Sequence, residues 1–460
     1  MQFPGMVSGP RAWTTSAWKA LCLVGLLVGS AAEAAGLPRD ESALTRLASG
    51  VTNSANAIWW GFDASDATEA VQSAIDSGAP RVVIPFVGAP WVLKPIHLRG
   101  NLDLVLEPGV VVLAKPGEFR GGGDSLFSAV EQTNITLRGN GAVLRMRKSD
   151  YQNPPYTKAE WRMGLSFAGC RDVVVEGLRI ESSGGDGIYI GSTARVRWCE
   201  NVTVRNCACY NHHRQGISII SAVNLLVENC TFSGTDGTVP EAGIDLEPDV
   251  ASERLVRCVF RNCVVSDNTG NGILVYLKPL DRSSEPVSIR FEDCHVRMGP
   301  PAATPGSLGD LGDRGWSGIA VGEISDEGPG GLVEFIRCTS ENTGREAVRL
   351  MNKSARGAHV RFVDCWWKST WLARHRDYGG PRSPVLIRSS APDRCRVSGG
   401  MEWVDCRLDD TVDAPVVRFE DDDGRGTLAD VSGRIQVLGP VMPRVMLGAS
   451  LTNVTLRVTR

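Results

Sequence analysis

Four stretches decide how the chain is read: "GDGIYIG" (185–191), "RQGISII" (214–220), "EAGIDLE" (241–247) and "GNGILVY" (270–276). Each places a small residue before an apolar one and then alternates, which is the period of a strand rather than of a helix. "WSGIAVG" (316–322) and "REAVRLM" (345–351) continue the series. The residues after the small position are Ile188, Ile217, Ile244, Ile273, Ile319 and Val348, spaced 29, 27, 29, 46 and 29 residues apart. The long interval contains a Gly/Pro-rich insertion, "GPPAATPGSLGDLGDRG". A fixed period of this length is the mark of a solenoid, in which each unit buries its apolar face on the next.

A second strand recurs between those segments: "NVTVRNC", "NLLVENC", "RCVFRNC", "VSIRFEDC", "LVEFIRC" and "HVRFVDC". No helical period separates the two strands. Every unit therefore carries at least two strands, with space for a very short third. Coiling stacks each strand on its counterpart one turn later, about 4.8 Å away, and the expected fold is all-β, a single-chain parallel β-helix. Cys207, Cys230, Cys263, Cys294, Cys365 and Cys406 each follow Asn or Asp in this pattern. A recurring place implies a recurring environment, so these cysteines are expected to form a free interior ladder rather than disulfides.

Upstream, "SDATEAVQSAIDSG" predicts a short helix with Asp66 as N-cap, Glu69 three residues on and Gly78 as stop, covering the open end of the core. "RVVIPF" is expected to open the first strand. Arg11 and Lys19, the apolar run from Ala20 to Gly29, and Ala32 and Ala34 predict a signal peptide over 1–34 and a secreted or periplasmic protein. Residues 35–59 are read as a linker and 60–460 as one domain, with 60–98 as its N-terminal cap.

"DATEAVQSAI", "NLDLVLEPGVVVLAKP", "NITLRGNGAVLRM" and the repeats resemble the right-handed parallel β-helix superfamily of pectate lyases, polygalacturonases and related carbohydrate-active proteins, from about residue 60 onward. The resemblance implies a right-handed coil with three sheets. It does not extend to either family's site: the chain has no adjacent aspartate pair in the central units, no "GHG", no "RIK" and no "WIDH".

The candidate site follows from alternation. With the isoleucines inward, the outward positions read Tyr189, Ser218, Asp245 and Leu274, then Gly191, Ile220, Glu247 and Tyr276. Asp245 and Glu247 are expected to share a solvent face, their backbones about 6.6 Å apart. Glycosidases use carboxyl pairs separated by about 5 to 9.5 Å. Arg214, Gln215, Glu241 and Asp186 align just ahead of the strands, with His212 and His213 nearby. The expected catalytic groups are Asp245, Glu247 and His213, with Glu247 as acid and Asp245 as base. The expected substrate-binding groups are Asp186, Tyr189, His212, Arg214, Gln215, Glu241 and Tyr276. Trp366, Trp367, Trp371 and Tyr378, together with the insertion at 299–315, are expected to wall this face.

The leading function is a secreted glycoside hydrolase acting on a polysaccharide. A lyase or epimerase acting on a uronate polymer, with Arg214, His213 and Tyr189, is the alternative, and a non-catalytic glycan-binding protein is the third reading. A net charge of -3 gives no reason to expect nucleic acid or membrane partners. No cofactor is expected and no zinc or calcium motif occurs. Bound calcium and oligomeric state are left open.

Overall fold

The computed structural model describes residues 36–297, 316–372, 383–422, 426–441, 443–448 and 450–460. The signal segment, the 299–315 insertion and Tyr378 lie outside these residues. Residues from 36 onward form one compact unit.

The unit is a parallel β-helix of three strands per coil. One coil runs through Ile188–Gly191, Cys199–Arg205 and Ala208–Tyr210. The first of these faces is a sheet of twelve parallel strands, from Ile96–His97 to Val445–Met446. Its register is the one the repeats predict: Ile188 pairs with Ile217, Ile217 with Ile244, Ile244 with Ile273, Ile273 with Ile319 and Ile319 with Val348. All six are fully buried. The third strand of each coil is three residues long in most coils, as in Thr231–Ser233 and Val264–Ser266.

The Asn-Cys pairs sit where the second face bends into the third. Asn206, Asn229, Asn262, Asp293, Arg337, Asp364 and Asp405 all have φ between +50° and +55°. Asparagine and aspartate tolerate this left-handed conformation better than other non-glycine residues, and Asn262 Nδ2 donates to Asn229 Oδ1 at 2.7 Å. The bend turns the next side chain inward, where a cysteine fits. The twelve cysteines from Cys170 to Cys406 are free and buried. Cys230 Sγ donates to the carbonyls of Glu228 (3.2 Å) and Val204 (3.6 Å), and the pattern repeats at Cys263 and Cys294. Beside this ladder Phe260, Phe291, Phe335 and Phe362 stack at 4.7 to 5.0 Å between ring centroids.

Four expectations need correction. Residues 35–59 are not a linker: helix Glu41–Ala48, strand Ser54–Asn56 and the 3-10 turn Ala57–Trp60 pack into the N-terminal end. Ser54–Asn56 precedes "RVVIPF" as the first strand and pairs with Arg81–Ile84. The capping helix spans Thr68–Asp76 and buries Ala70, Val71, Ala74 and Ile75, but Ala67 occupies its N-cap. Asp66 still accepts from the Thr68 amide at 3.1 Å and pairs with Lys115 at 2.6 Å, so it fixes the helix start from one residue further out. Trp366 and Trp367 are not loop residues either. They form strand Trp366–Lys368, with Trp367 in the core.

Candidate functional site: an acid cluster around Arg214

The central coils of the first face carry the cluster. Ser218 pairs with Asp245, and Asp245 with Leu274, in parallel register. Both Ser218 and Asp245 are outward in the alternation, yet both are fully buried. The expectation of an exposed pair is therefore corrected: Asp245 lies beneath its neighbours, and Glu247, with 29% of its side chain exposed, is the member that meets solvent.

Arg214 ties the acids together. Its guanidinium lies 3.3 Å from Glu247 Oε2 and 3.8 Å from Asp186 Oδ2. Gln215 Nε2 donates to Asp245 Oδ2 at 3.0 Å, while its Oε1 accepts from the Ala242 amide at 2.8 Å. Gln215 is thus an orienting residue, occupied at both ends. Tyr189 folds along the sheet over Gly191, where a Cβ would come within 2.5 Å of its hydroxyl. Tyr276 is half-buried and follows Val275, the partner of Leu246.

Burial dominates the electrostatics. It raises the Asp186 carboxyl to about 7 despite the nearby Arg214 cation. Asp245 is pushed well up by burial and then by the negative charge of Glu247. Glu247 is raised by burial, with Arg214 pulling the other way. Asp249, at the edge of the cluster, is raised by burial as well. The charge on Glu247 makes ionising Asp245 harder, as like charges do. Asp186 Oδ1 and Oδ2, Arg214 Nε, Ser218 Oγ and Asp245 Oδ1 are buried without a hydrogen-bonding partner. Native interiors rarely leave so many polar atoms unpaired in one place, and functional sites are where it happens.

The two histidines belong elsewhere. His212 is fully buried, with Nδ1 2.7 Å from Ser183 Oγ, which itself donates to the Gly185 carbonyl. Its Nε2 packs on Gly187, where a Cβ would lie 2.5 Å away. Burial lowers it to about 3, so it is a neutral core histidine. His213 rests on Gly237 and meets Thr238 Oγ1 at 3.0 Å. The charges that act on it most are Lys148, Asp236, Lys158 and Arg162, not the acids. Glu241 accepts from the Gly237 amide at 2.7 Å, closing the same turn. Of the ten expected site residues, the structure gathers Asp186, Tyr189, Arg214, Gln215, Asp245 and Glu247 and sets Tyr276 on the next coil. It leaves His212, His213 and Glu241 in the packing of the turn.

Sequence reading missed Glu160. It precedes Trp161 and Arg162 on a segment outside the repeat, and its charge acts on Asp186, Arg214 and Glu247. No periodic signal marks it. Among the described residues no group of His, Cys, Asp and Glu is arranged to hold a metal ion.

Residues 131–299 match the family model described as "Right handed beta helix region". The uncharacterized protein YclG of Bacillus subtilis (strain 168) is 28% identical over 201 residues, 39% of this chain and 34% of the relative. The match thus spans about a third of that relative's length. Among solved structures, a Yersinia enterocolitica family 28 exopolygalacturonase aligns with TM-score 0.56 and 14% identity, over 85% of this chain and 76% of its own. The A-module of the Azotobacter vinelandii mannuronan C-5 epimerase AlgE4 aligns with TM-score 0.51 and 14% identity, over 88% of this chain and 97% of its own. These structures share the fold. With coils in register from end to end and a family model matched over residues 131–299, the chain has the right-handed parallel β-helix fold.

Proposed function

We propose that the protein is a glycoside hydrolase acting on a polysaccharide, in which Glu247 meets the substrate and Asp245 holds a proton behind it. The observation that carries this reading is one buried and one half-exposed carboxyl on adjacent outward positions, both raised, beside one arginine. A carboxyl raised toward neutrality is what a general acid needs. Glu247 gives its proton to the glycosidic oxygen as the C–O bond breaks. Asp245, with no surface of its own, resupplies it across the pair. This revises the expected role of Asp245, since a fully buried carboxylate cannot itself activate water. Arg214, 3.3 Å from Glu247 Oε2, fixes its position.

Polysaccharide-acting proteins among the structural neighbours support the substrate class. The uronate lyase reading has less support, because Arg214 is already engaged by Asp186 and Glu247 and is not positioned to neutralise a sugar carboxylate. We also read the protein as exported, from residues 1–34. N-terminal sequencing of the protein recovered outside the cell checks this, with a start near residue 35 expected. For the activity, polysaccharides are incubated with wild type and Glu247→Gln, and both reducing ends and ultraviolet absorbance are followed. New reducing ends without new absorbance, lost in the variant, are expected. Absorbance from an unsaturated product would assign a lyase, and glycan binding with no product would assign a binding protein.

A further inference from the structure

The segment just before the third coil of the site has a role that the repeat does not explain. Residues 160–162 cross directly over the glycines that lead into Asp186. Arg162 forms an antiparallel bridge with Gly184. A Cβ on Gly185 would lie 2.6 Å from the Glu160 carbonyl and 2.9 Å from the Arg162 amide, so only glycine permits this crossing.

The crossing is anchored from one side. Arg162 is fully buried, donating from Nε to the Phe119 carbonyl at 2.8 Å and from Nη2 to the Thr157 carbonyl at 2.6 Å. Its guanidinium stands over the rings of Tyr151 and Tyr156 at 5.3 and 5.9 Å. A buried arginine spent on backbone carbonyls and two rings is a costly way to hold a loop. What it holds in place is Glu160. That side chain is half-buried, and it makes no hydrogen bond or ion pair among the described residues. Its charge reaches Asp186, Arg214 and Glu247. The same cluster contains the fully buried Asp245 Oδ1, which has no hydrogen-bonding partner.

A hydrolase needs two carboxyls that touch the substrate, one on each side of the scissile bond. Asp245 and Asp186 have no exposed surface. Glu247 supplies one of the two; Asp249 comes from the same stretch of chain as Glu247, whereas Glu160 comes from a separate segment whose backbone crosses at Gly185, next to Asp186. We propose that Glu160 is the second catalytic carboxylate, acting as the base for the attacking water opposite Glu247. This rests on the hydrolase reading above. In the step, the glycosidic C–O bond breaks and its oxygen takes the proton of Glu247. The water oxygen bonds to the anomeric carbon, and the water's proton passes to Glu160. Solvent then takes the proton from Glu160 and restores the one on the Asp245–Glu247 pair.

The test uses full-length wild type, Glu160→Gln, Glu160→Ala and Glu247→Gln, each checked for folding by thermal unfolding. The probes are glucans, xylan, mannan, polygalacturonate and alginate, with kinetics on the polymer that wild type cleaves fastest. Glu160→Gln is expected to lower kcat by at least about 100-fold with KM little changed. Azide, forming its own bond to the anomeric carbon, is expected to restore turnover to Glu160→Ala. If Glu160→Gln keeps kcat within tenfold of wild type while Glu247→Gln is inactive, Glu160 is not the base and the hydrolase reading stands. An inactive Glu160→Gln with Glu160→Ala not rescued by azide also overturns the proposal and makes Glu160 a structural residue. Wild-type activity in Glu247→Gln, or no cleavage of any polymer by wild type, overturns the hydrolase reading and this proposal with it.

Discussion

At the scale of single residues, the site is governed by which side chains lose water. Alternation put Asp245 and Ser218 on the outer face correctly. It could not show that Gln215, from the preceding coil, binds Asp245 or that Arg214 reaches across to Glu247, because such contacts between coils are not written in one strand's alternation. Of "HHRQ" (212–215), Arg214 and Gln215 turn to the acids while both histidines turn to the packing of the bend, a partition that four adjacent letters do not reveal. Asp186 gives this scale its own prediction. Its folded value of about 7 lies above the ordinary carboxylate value of 3.8, so its contribution to stability is complete below the unfolded value and is lost as pH rises toward 7. Unfolding free energies of wild type and Asp186→Asn, compared from pH 4 to 8, should shift by a few kcal/mol in favour of the variant as pH rises. A difference that does not change with pH would contradict the assigned burial of the charge.

At the scale of elements, the strands and their register were legible, because one small residue before an apolar one marks the six consecutive coils from Ile188 to Val348. The Asn-Cys recurrence was legible as a column, and its cause emerged only from the backbone: a left-handed bend occupied by Asn229 and its equivalents. What escaped lay outside the repeat: the helix Glu41–Ala48, the first strand Ser54–Asn56 and the crossing at 160–162. None of these has a period to detect. Replacing Asn229 by alanine removes the acceptor of Asn262 Nδ2 and puts a Cβ residue without a local hydrogen bond at φ +54°. The expected cost is about 1–2 kcal/mol, measured by denaturant titration, and Asn229→Gly should recover the backbone part of it. Equal losses in the two variants would place the whole effect in the side-chain bond.

At the scale of the whole molecule, the coils make one continuous core whose cysteine column carries a shared liability. Burial pushes Cys258 up, and burial with neighbouring thiols pushes Cys209, Cys263, Cys294, Cys338 and Cys365 up, while Cys207 is lowered by its contact with Cys230. A raised folded value means that stability is complete below the unfolded thiol value and is lost above it, at about 1.4 kcal/mol per pH unit for each such thiol. Stability should therefore fall steeply above about pH 9, and Cys→Ala changes in the column should flatten the slope. Alkylation by iodoacetamide should proceed only on unfolding, and fast labelling of the native protein would contradict a closed interior. The acid cluster sits on this rigid scaffold, and its central claim is that Glu247 meets the substrate with Asp245 behind it. The most direct test is the pH dependence of polysaccharide cleavage, read as reducing ends, for wild type, Glu247→Gln and Asp245→Asn. The account predicts no cleavage by Glu247→Gln and, for Asp245→Asn, residual cleavage whose alkaline limb moves to lower pH as the resupplied proton is lost. Wild-type rates and an unmoved profile in both variants would contradict it.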